Sequence, residues 1–584
     1  PHLIPLKKDA VNPFAPTTRK PRAPGASDDH PAGKEGDEKD KGSKAKKAAP
    51  TRVEIDFAGI EERVIAFPVP EGRFDNVKGA KGRVLFSSFP VEGSLGKGWG
   101  FEDPSNGTLE AYDFAEEKVV TVADGITSFS CSSNGQVIAI RAADELRVVP
   151  VAWKEEDKKG EDYVGRESGL VDLDRIKIEV VPGDEWRQMY REAWRLQRDQ
   201  YWVPSMAGVK WTAIHDRYLP LIDRVASRAE FSDLMWEMQG ELGSSHAYEF
   251  MGDYQPEPDW FQGCLGADLE LRANAWHIVR IPRGDSWDAG AASPLAAPGL
   301  DVVEGDIIVA IDGRPVDGSV SPYERLVDRA GQAVHLTIRR GRHKPRIVVV
   351  DALASEEMLR YRDWVEQNRA SVHDQTDDQV GYLHIPDMGA WGYSEFHRYY
   401  GSEVDRPGLI IDVRHNRGGH VSPLLLEKLA RRRIGYDVSR WGQPMSYPED
   451  APMGPMVALT NEYAGSDGDM FSHAFKLMNL GPLIGKRTWG GVIGIYPRHA
   501  LVDGTITTQP EFSFWFEDVG WGVENYGTDP DIEVDIKPQD YRAGRDPQMA
   551  RAQKEILKLI RKLKPGIPEF ESPPSRVPPR LPKP

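Results

Sequence analysis

The chain has 584 residues, 40% of them hydrophobic and 28% charged, with a formal net charge of −17. That apolar content excludes a wholly disordered chain, and the length sets a prior of about four domains. The acidic balance excludes a general nucleic-acid binder, whose affinity comes from Lys and Arg on phosphates. Two cysteines, Cys131 and Cys264, exclude a disulfide framework and a Cys-rich zinc site, and low Cys fits a reducing compartment. No run of about 18 apolar residues suggests a membrane span. The chain opens on Pro1 with no signal-peptide pattern, and reads as a processed or truncated piece of a longer protein.

Taken in order, the elements predict a multidomain protein. Residues 1–16 read as a propeller strand or linker. Residues 17–50 are Lys, Glu, Asp, Gly, Ala and Pro with almost no large apolar side chain. Such a segment cannot bury enough surface to offset chain entropy, so disorder is expected there, with Lys39 to Lys47 as a solvated spacer. Residues 51–180 hold short strands about ten residues apart, at Arg83, Leu109, Lys118, Ile126, Gln136 and Leu146. Their spacing suits roughly two blades at the end of a β-propeller, and Ser133-Asn134-Gly135 is a tight-turn signal. Residues 181–257 are a helical core domain. There Trp186, Met189, Tyr190, Ala193, Trp194 and Gln197 follow a helical period with one polar exception, and Ser227 with Glu230 makes a capping box.

Residues 258–352 return to strands. Val303-Glu-Gly-Asp306 opens the strand Ile307–Ile311, a helix follows at Pro322, and Ala333–Arg340 closes the set. This resembles a PDZ domain, which implies capture of extended peptides by strand addition. Residues 353–545 alternate helices (Ser355–Asn368, Pro423–Arg433, Met470–Met478) with apolar strands at Val380, Gly408 and Met456, as an α/β core domain with a βαβ-type mixed sheet. Residues 546–584 are a charged terminal helix, read over 545–563, and a Pro-rich tail.

Four short motifs carry chemistry. In Gly465-Ser466-Asp467-Gly468 a buried strand meets a helix, and small neighbours permit a turn that exposes a side chain near free helix N–H groups. The same letters also make an ordinary N-cap. Arg417-Gly418-Gly419 lets a substrate approach main-chain N–H groups, or is a plain loop. Gly243-Ser244-Ser245-His246 offers an imidazole that suits a general base near neutral pH, though a lone loop His is more often structural. Gly522-Val523-Glu524-Asn525 offers a carboxylate that could orient an imidazolium, one acidic residue among 91.

Together, in this order and around the PDZ-like segment, these motifs resemble the C-terminal half of the tricorn protease family, over roughly residues 180–540. The resemblance implies Ser466 as nucleophile, His246 as general base, and Ser245 and Glu524 as the remaining members of a catalytic tetrad. It implies an oxyanion hole from the Asp467 N–H and a glycine of Gly418-Gly419, with Gly419 preferred, and Asp437 as the carboxylate that selects basic P1 residues. Simpler C-terminal-processing peptidases use a Ser–Lys dyad, whereas the matching stretch here is Thr488-Trp489-Gly490-Gly491 without Lys; Lys486 is read as structural. The implied activity is a cytoplasmic serine endopeptidase acting through an acyl-enzyme. Its expected partners are peptides, further copies of itself as a hexamer, and downstream aminopeptidases. No cofactor or metal is expected, since no His-Glu-x-x-His, calcium loop or phosphate loop is present. The competing readings are an inactive peptide-binding scaffold and, less well, an esterase, whose fold does not suit the order His, Ser, Glu with a PDZ insertion.

Overall fold

The computed structural model describes residues 1–15, 53–93, 104–154, 163–254, 259–570 and 573–578. The whole segment expected to be disordered, residues 17–50 with Lys39 to Lys47, lies outside them. The chain divides into two compact units, Pro1–Glu179 and Val180–Pro584.

In the first unit, alternating strands build two antiparallel sheets. One runs Arg73–Ala80, Arg83–Phe89, Gly107–Asp113, Lys118–Ile126; the other runs Ser128–Cys131, Val137–Ala142, Glu145–Pro150. Ser132 to Gln136 makes the tight turn between the first two strands of the second sheet, with Gly135 at φ 66°. Leu85, Leu109, Val122, Ile126, Phe129, Ile138 and Ile140 form one buried core. The strand Arg73–Ala80 has no expected counterpart, because it lies at a sheet edge with Phe74 and Val77 as its only large apolar residues.

The second unit opens with helices α1 (Pro182–Gln200), α2 (Trp211–Tyr218) and α3 (Arg228–Gly240). Met189, Tyr190 and Ala193 of α1 pack against Phe231, Met235 and Met238 of α3. The polar exception Gln197 is fully buried; its amide donates to Gln239 Oε1 at 2.7 Å and to the Thr508 carbonyl at 2.9 Å. The capping box is half formed: Ser227 Oγ accepts from the Glu230 N–H at 3.2 Å, but the Glu230 carboxylate takes the Ala226 N–H instead.

Residues 263–355 form a small antiparallel sheet ordered Asp268–Arg272, Ala275–Arg280, Ile307–Ile311, Ala333–Arg339, Arg346–Asp351, with the short helix α4 (Pro322–Arg325) beside it. The Asp306 carboxylate is gripped by Arg340 at 2.9 and 3.0 Å and accepts the Val303 N–H at 3.1 Å, which closes the turn before the central strand.

The last part is built on five strands ordered Val380–His384, Gly408–Asp412, Met456–Thr460, Leu483–Gly485, Ile532–Glu533. Every pair is parallel, which corrects the expected mixed sheet. Near-continuous apolar strands buried throughout and joined by helical crossovers are what a parallel sheet requires. Helix α5 (Glu357–Gln375) leads into the first strand, the crossovers use α6 (Ala390–Glu403), α7 (Ser422–Leu429) and α8 (Asp467–Leu477), and α9 (Pro538–Arg542) and α10 (Pro547–Leu563) follow the last strand. Helix α5 outruns its expected end at Asn368 by seven residues, and α7 stops four short of Arg433. The Arg433 guanidinium binds the Ala451 carbonyl, and the chain then enters the strand Gly435–Asp437. Helix α10 lays Ala552, Ile556 and Ile560 on the sheet; at Gly408 a Cβ would come within 2.8 Å of Ile556. Each buried isoleucine there contributes about 1.5–3 kcal/mol.

Candidate active site

The strand Met456–Thr460 ends in the core, and a short turn carries the chain to Ser466, the N-cap of α8. Ser466 has φ 55° and ψ −120°, a conformation costly for any residue with a Cβ. It is held by the Gly465 N–H on the Asn416 carbonyl (3.0 Å) and the Met470 N–H on the Ser466 carbonyl (3.1 Å). Gly418 lies against it: a Cβ there would be 2.5 Å from the Ser466 Cβ and 3.1 Å from its Oγ. The two glycines after Arg417 differ in what they offer. The Gly418 N–H donates to Asn416 Oδ1 at 2.9 Å. The Gly419 N–H has no hydrogen-bond partner among the described residues, nor has the Asp467 N–H at the first turn of α8. Gly419 has φ 148°, and a Cβ there would be 2.0 Å from the Met388 carbonyl oxygen. Two unpaired amides beside the half-buried Ser466 hydroxyl can stabilise a developing oxyanion.

Some 220 residues upstream in sequence, the loop after α3 brings up Ser245 and His246. Ser245 Oγ lies 2.7 Å from His246 Nδ1 and donates to Glu524 Oε2 at 3.2 Å. The Ser245 N–H adds a bond to Glu524 Oε1 at 2.8 Å. With the Ser245 hydroxyl proton on Glu524, the network assigns the imidazole proton to Nδ1, leaving Nε2 as acceptor. Burial lowers the His246 pKa from its ordinary value, and the Glu524 charge opposes this. His246 itself has φ 64°. Its carbonyl accepts from Thr508 Oγ1 at 2.5 Å, and that same oxygen accepts the Tyr248 N–H at 2.8 Å. The Trp489 ring lies 5.5 Å from the His246 ring and covers Gly465, where a Cβ would be 2.7 Å from it. No hydrogen bond joins Ser466 Oγ to His246 among the described residues; apo arrangements of this kind tighten on binding substrate.

Asp437 stands apart. It ends one strand of a two-stranded ribbon, Gly435–Asp437 with Met445–Tyr447, and its exposed side chain makes no hydrogen bond or ion pair among the described residues. Lys486 pairs with Glu533 at 3.1 Å, away from the hydroxyl. Three residues escape sequence reasoning: Asn416, which fixes the Gly418 turn; Thr508; and Asp469. The Asp469 carboxylate accepts the Gly490 N–H at 2.9 Å and the Gly491 N–H at 3.3 Å. Burial pushes it up to about 6, against hydrogen bonds from Thr488, Gly490, Gly491 and Ser466. A cavity of about 500 Å³ adjoins the relay, walled by Gly243, Ser244, Ser245, Trp489, Gly491 and Asn525. Among the described residues no cluster of three or more His, Cys, Asp or Glu could hold a metal, and no helix is long and apolar enough to cross a membrane.

Residues 182–240 match the Tricorn protease C1 domain, 263–355 the Tricorn protease PDZ domain, and 379–534 Peptidase family S41. The chain is 45% identical over 534 residues to Tricorn protease homolog 1 of Streptomyces coelicolor, covering 90% of this chain and 48% of the relative. It is 44% identical over 510 residues to a putative Tricorn-like protease C-terminal subunit of Sulfurisphaera tokodaii, covering 87% and 58%. The crystal structure of the tricorn protease superposes with a TM-score of 0.81 at 36% identity, over 88% of this chain and 49% of that one. The chain thus spans about half the length of the curated relatives it matches. Over residues 182–534 the chain carries, in order, segments of the tricorn protease C1 domain, the tricorn protease PDZ domain and Peptidase family S41.

Proposed function

We propose that this chain is a tricorn-type serine endopeptidase that hydrolyses peptides through an acyl-enzyme. The observation that carries the reading is the left-handed Ser466 turn at the start of α8, flanked by two unpaired amides and by Trp489, whose ring also borders the Ser245–His246–Glu524 relay. Ser466 Oγ attacks the peptide carbonyl while His246 Nε2 takes its proton. The oxyanion rests on the Gly419 and Asp467 N–H groups; Gly418 contributes by having no side chain. His246 then protonates the leaving amine, and water releases the acyl group. Glu524, through Ser245, stabilises the imidazolium at Nδ1.

Basic P1 residues are preferred, through Asp437 as the family resemblance implies. Residues 51–180 are the end of a β-propeller, a reading supported by their two antiparallel meanders. The working form is a homo-oligomer in the cytoplasm, passing products to aminopeptidases. A fluorophosphonate probe with mass mapping tests the core of the reading: the label falls on Ser466, and Ser466→Ala neither labels nor cleaves. Retained cleavage by that variant refutes it, and a wild type that binds peptides without cleaving them favours the scaffold reading. Arg- and Lys-ended fluorogenic peptides should outrun Phe-ended ones, and Asp437→Ser should abolish the difference; equal rates in the wild type sink the P1 assignment.

A further inference from the structure

Four successive amides in the loop after Trp489 are spent on two carboxylates. Gly490 and Gly491 donate to Asp469, at 2.9 and 3.3 Å. Val492 and Ile493 donate to Glu524 Oε2, at 2.8 and 3.1 Å. Asp469 is completely buried and lies three residues after Ser466, on the first turn of the same helix. The same stretch meets the relay side twice more: Trp489 borders the His246 ring, and the Asn525 N–H donates to the Gly490 carbonyl at 2.6 Å. Neither glycine could carry a side chain, since a Cβ at Gly490 would be 2.6 Å from the Gly527 amide nitrogen and one at Gly491 2.3 Å from the Trp489 ring. The loop is therefore a backbone strap, clamped at one end by the nucleophile's helix and at the other by the relay carboxylate.

We infer that Asp469 is a positioning residue for the reaction, holding the Ser466 turn and the Glu524 carboxylate in one hydrogen-bonded unit through residues 490–493. It touches no reacting atom. Its effect passes through the strap to the register between nucleophile and base, where a displacement near 1 Å costs about 100-fold in rate. The inference rests on the proposed roles of Ser466 and Glu524.

The test is a double-mutant cycle in the full chain, Asp469→Asn against Glu524→Gln, read as kcat and KM on a fluorogenic peptide and as the rate of fluorophosphonate labelling. Asn keeps the volume but sets an amide donor against the strap's N–H groups. Each single variant should lower kcat by about 100-fold with KM within about twofold, and the double should fall no more than about threefold below the worse single. A purely structural role for Asp469 predicts multiplied losses, and multiplied losses overturn the inference. So does an Asp469→Asn variant within twofold of wild type. If melting shows that Asp469→Asn does not fold, Asp469→Glu keeps the charge and moves the carboxylate against the strap; in its cycle with Glu524→Gln, non-additive losses support the inference and multiplied losses overturn it. A wild type that does not cleave, or an active Ser466→Ala, defeats the functional reading first and is told apart by that result.

Discussion

At the residue scale the site is a set of side chains held in costly backbone conformations. Ser466 and His246 both have positive φ, and both are non-glycine. For His246 the restraint is one hydroxyl: Thr508 Oγ1 donates to its carbonyl and accepts the Tyr248 amide. Thr508→Val keeps the shape and removes both bonds. It should cost about 1–3 kcal/mol in a denaturant melt and lower kcat about tenfold or more, while Thr508→Ser should restore most of both. The acid limb of kcat/KM reports the free base. Burial lowers the His246 pKa, so the neutral imidazole persists below its ordinary value and the limb should lie beneath about 6.5. Glu524 raises that pKa. Glu524→Gln should therefore move the limb lower still while reducing turnover, and a limb that moves upward refutes the relay. The same sign holds for stability: a depressed His pKa means the unfolded chain binds the extra proton first, so this contribution is lost as pH falls through about 6.5.

At the scale of elements, the residues before the PDZ domain and those after it are tied by buried charge. Arg228 on α3 binds Glu249 at 3.1 Å and Asp503 at 2.8 Å, and all three side chains are at least nine-tenths buried. Glu249 also belongs to a strand paired with Ile506–Thr507, and the same guanidinium meets Thr505 just before that strand. Removing one partner of such a group strands the others without compensation. Arg228→Met should cost about 3–5 kcal/mol in a thermal or urea melt, with the His246 loop losing protection in hydrogen exchange. A loss below about 1 kcal/mol would show that the network does not join these elements. Much of this level was legible in the sequence: the helical period of residues 186–197 and the apolar runs at Val380, Gly408 and Met456 each became the element they implied. The parallel pairing was not, because a strand buried on both faces has no periodicity to report its partner's direction. Nor was the strand Arg73–Ala80, whose edge position leaves most of its side chains in solvent.

At the scale of the whole molecule, the two units hold separate cores, and every residue of the candidate site falls in Val180–Pro584. That unit contains the C1, PDZ and S41 segments entire. A chain of residues 180–584 should therefore fold cooperatively and take up a fluorophosphonate on Ser466 at a rate within about tenfold of the full chain. Labelling lost in a folded fragment would show that the first unit completes the site.

The sequence by itself determined most of the elements and nominated the side chains of the candidate site. Amphipathic period, capping residues and small-residue turns are local, and a resemblance in motif order joined Ser466, His246, Ser245 and Glu524 before any contact was visible. Only the tertiary structure decided which amides remain free. Gly418 and Gly419 are indistinguishable as letters, but the Asn416 side chain occupies the Gly418 N–H and leaves that of Gly419 unpaired. Asp469 and Thr508 were invisible for the same reason. Their significance lies in hydrogen bonds to residues about 20 and 260 positions away, and a buried polar group acquires its role from partners that fold around it, for which a linear sequence carries no local mark.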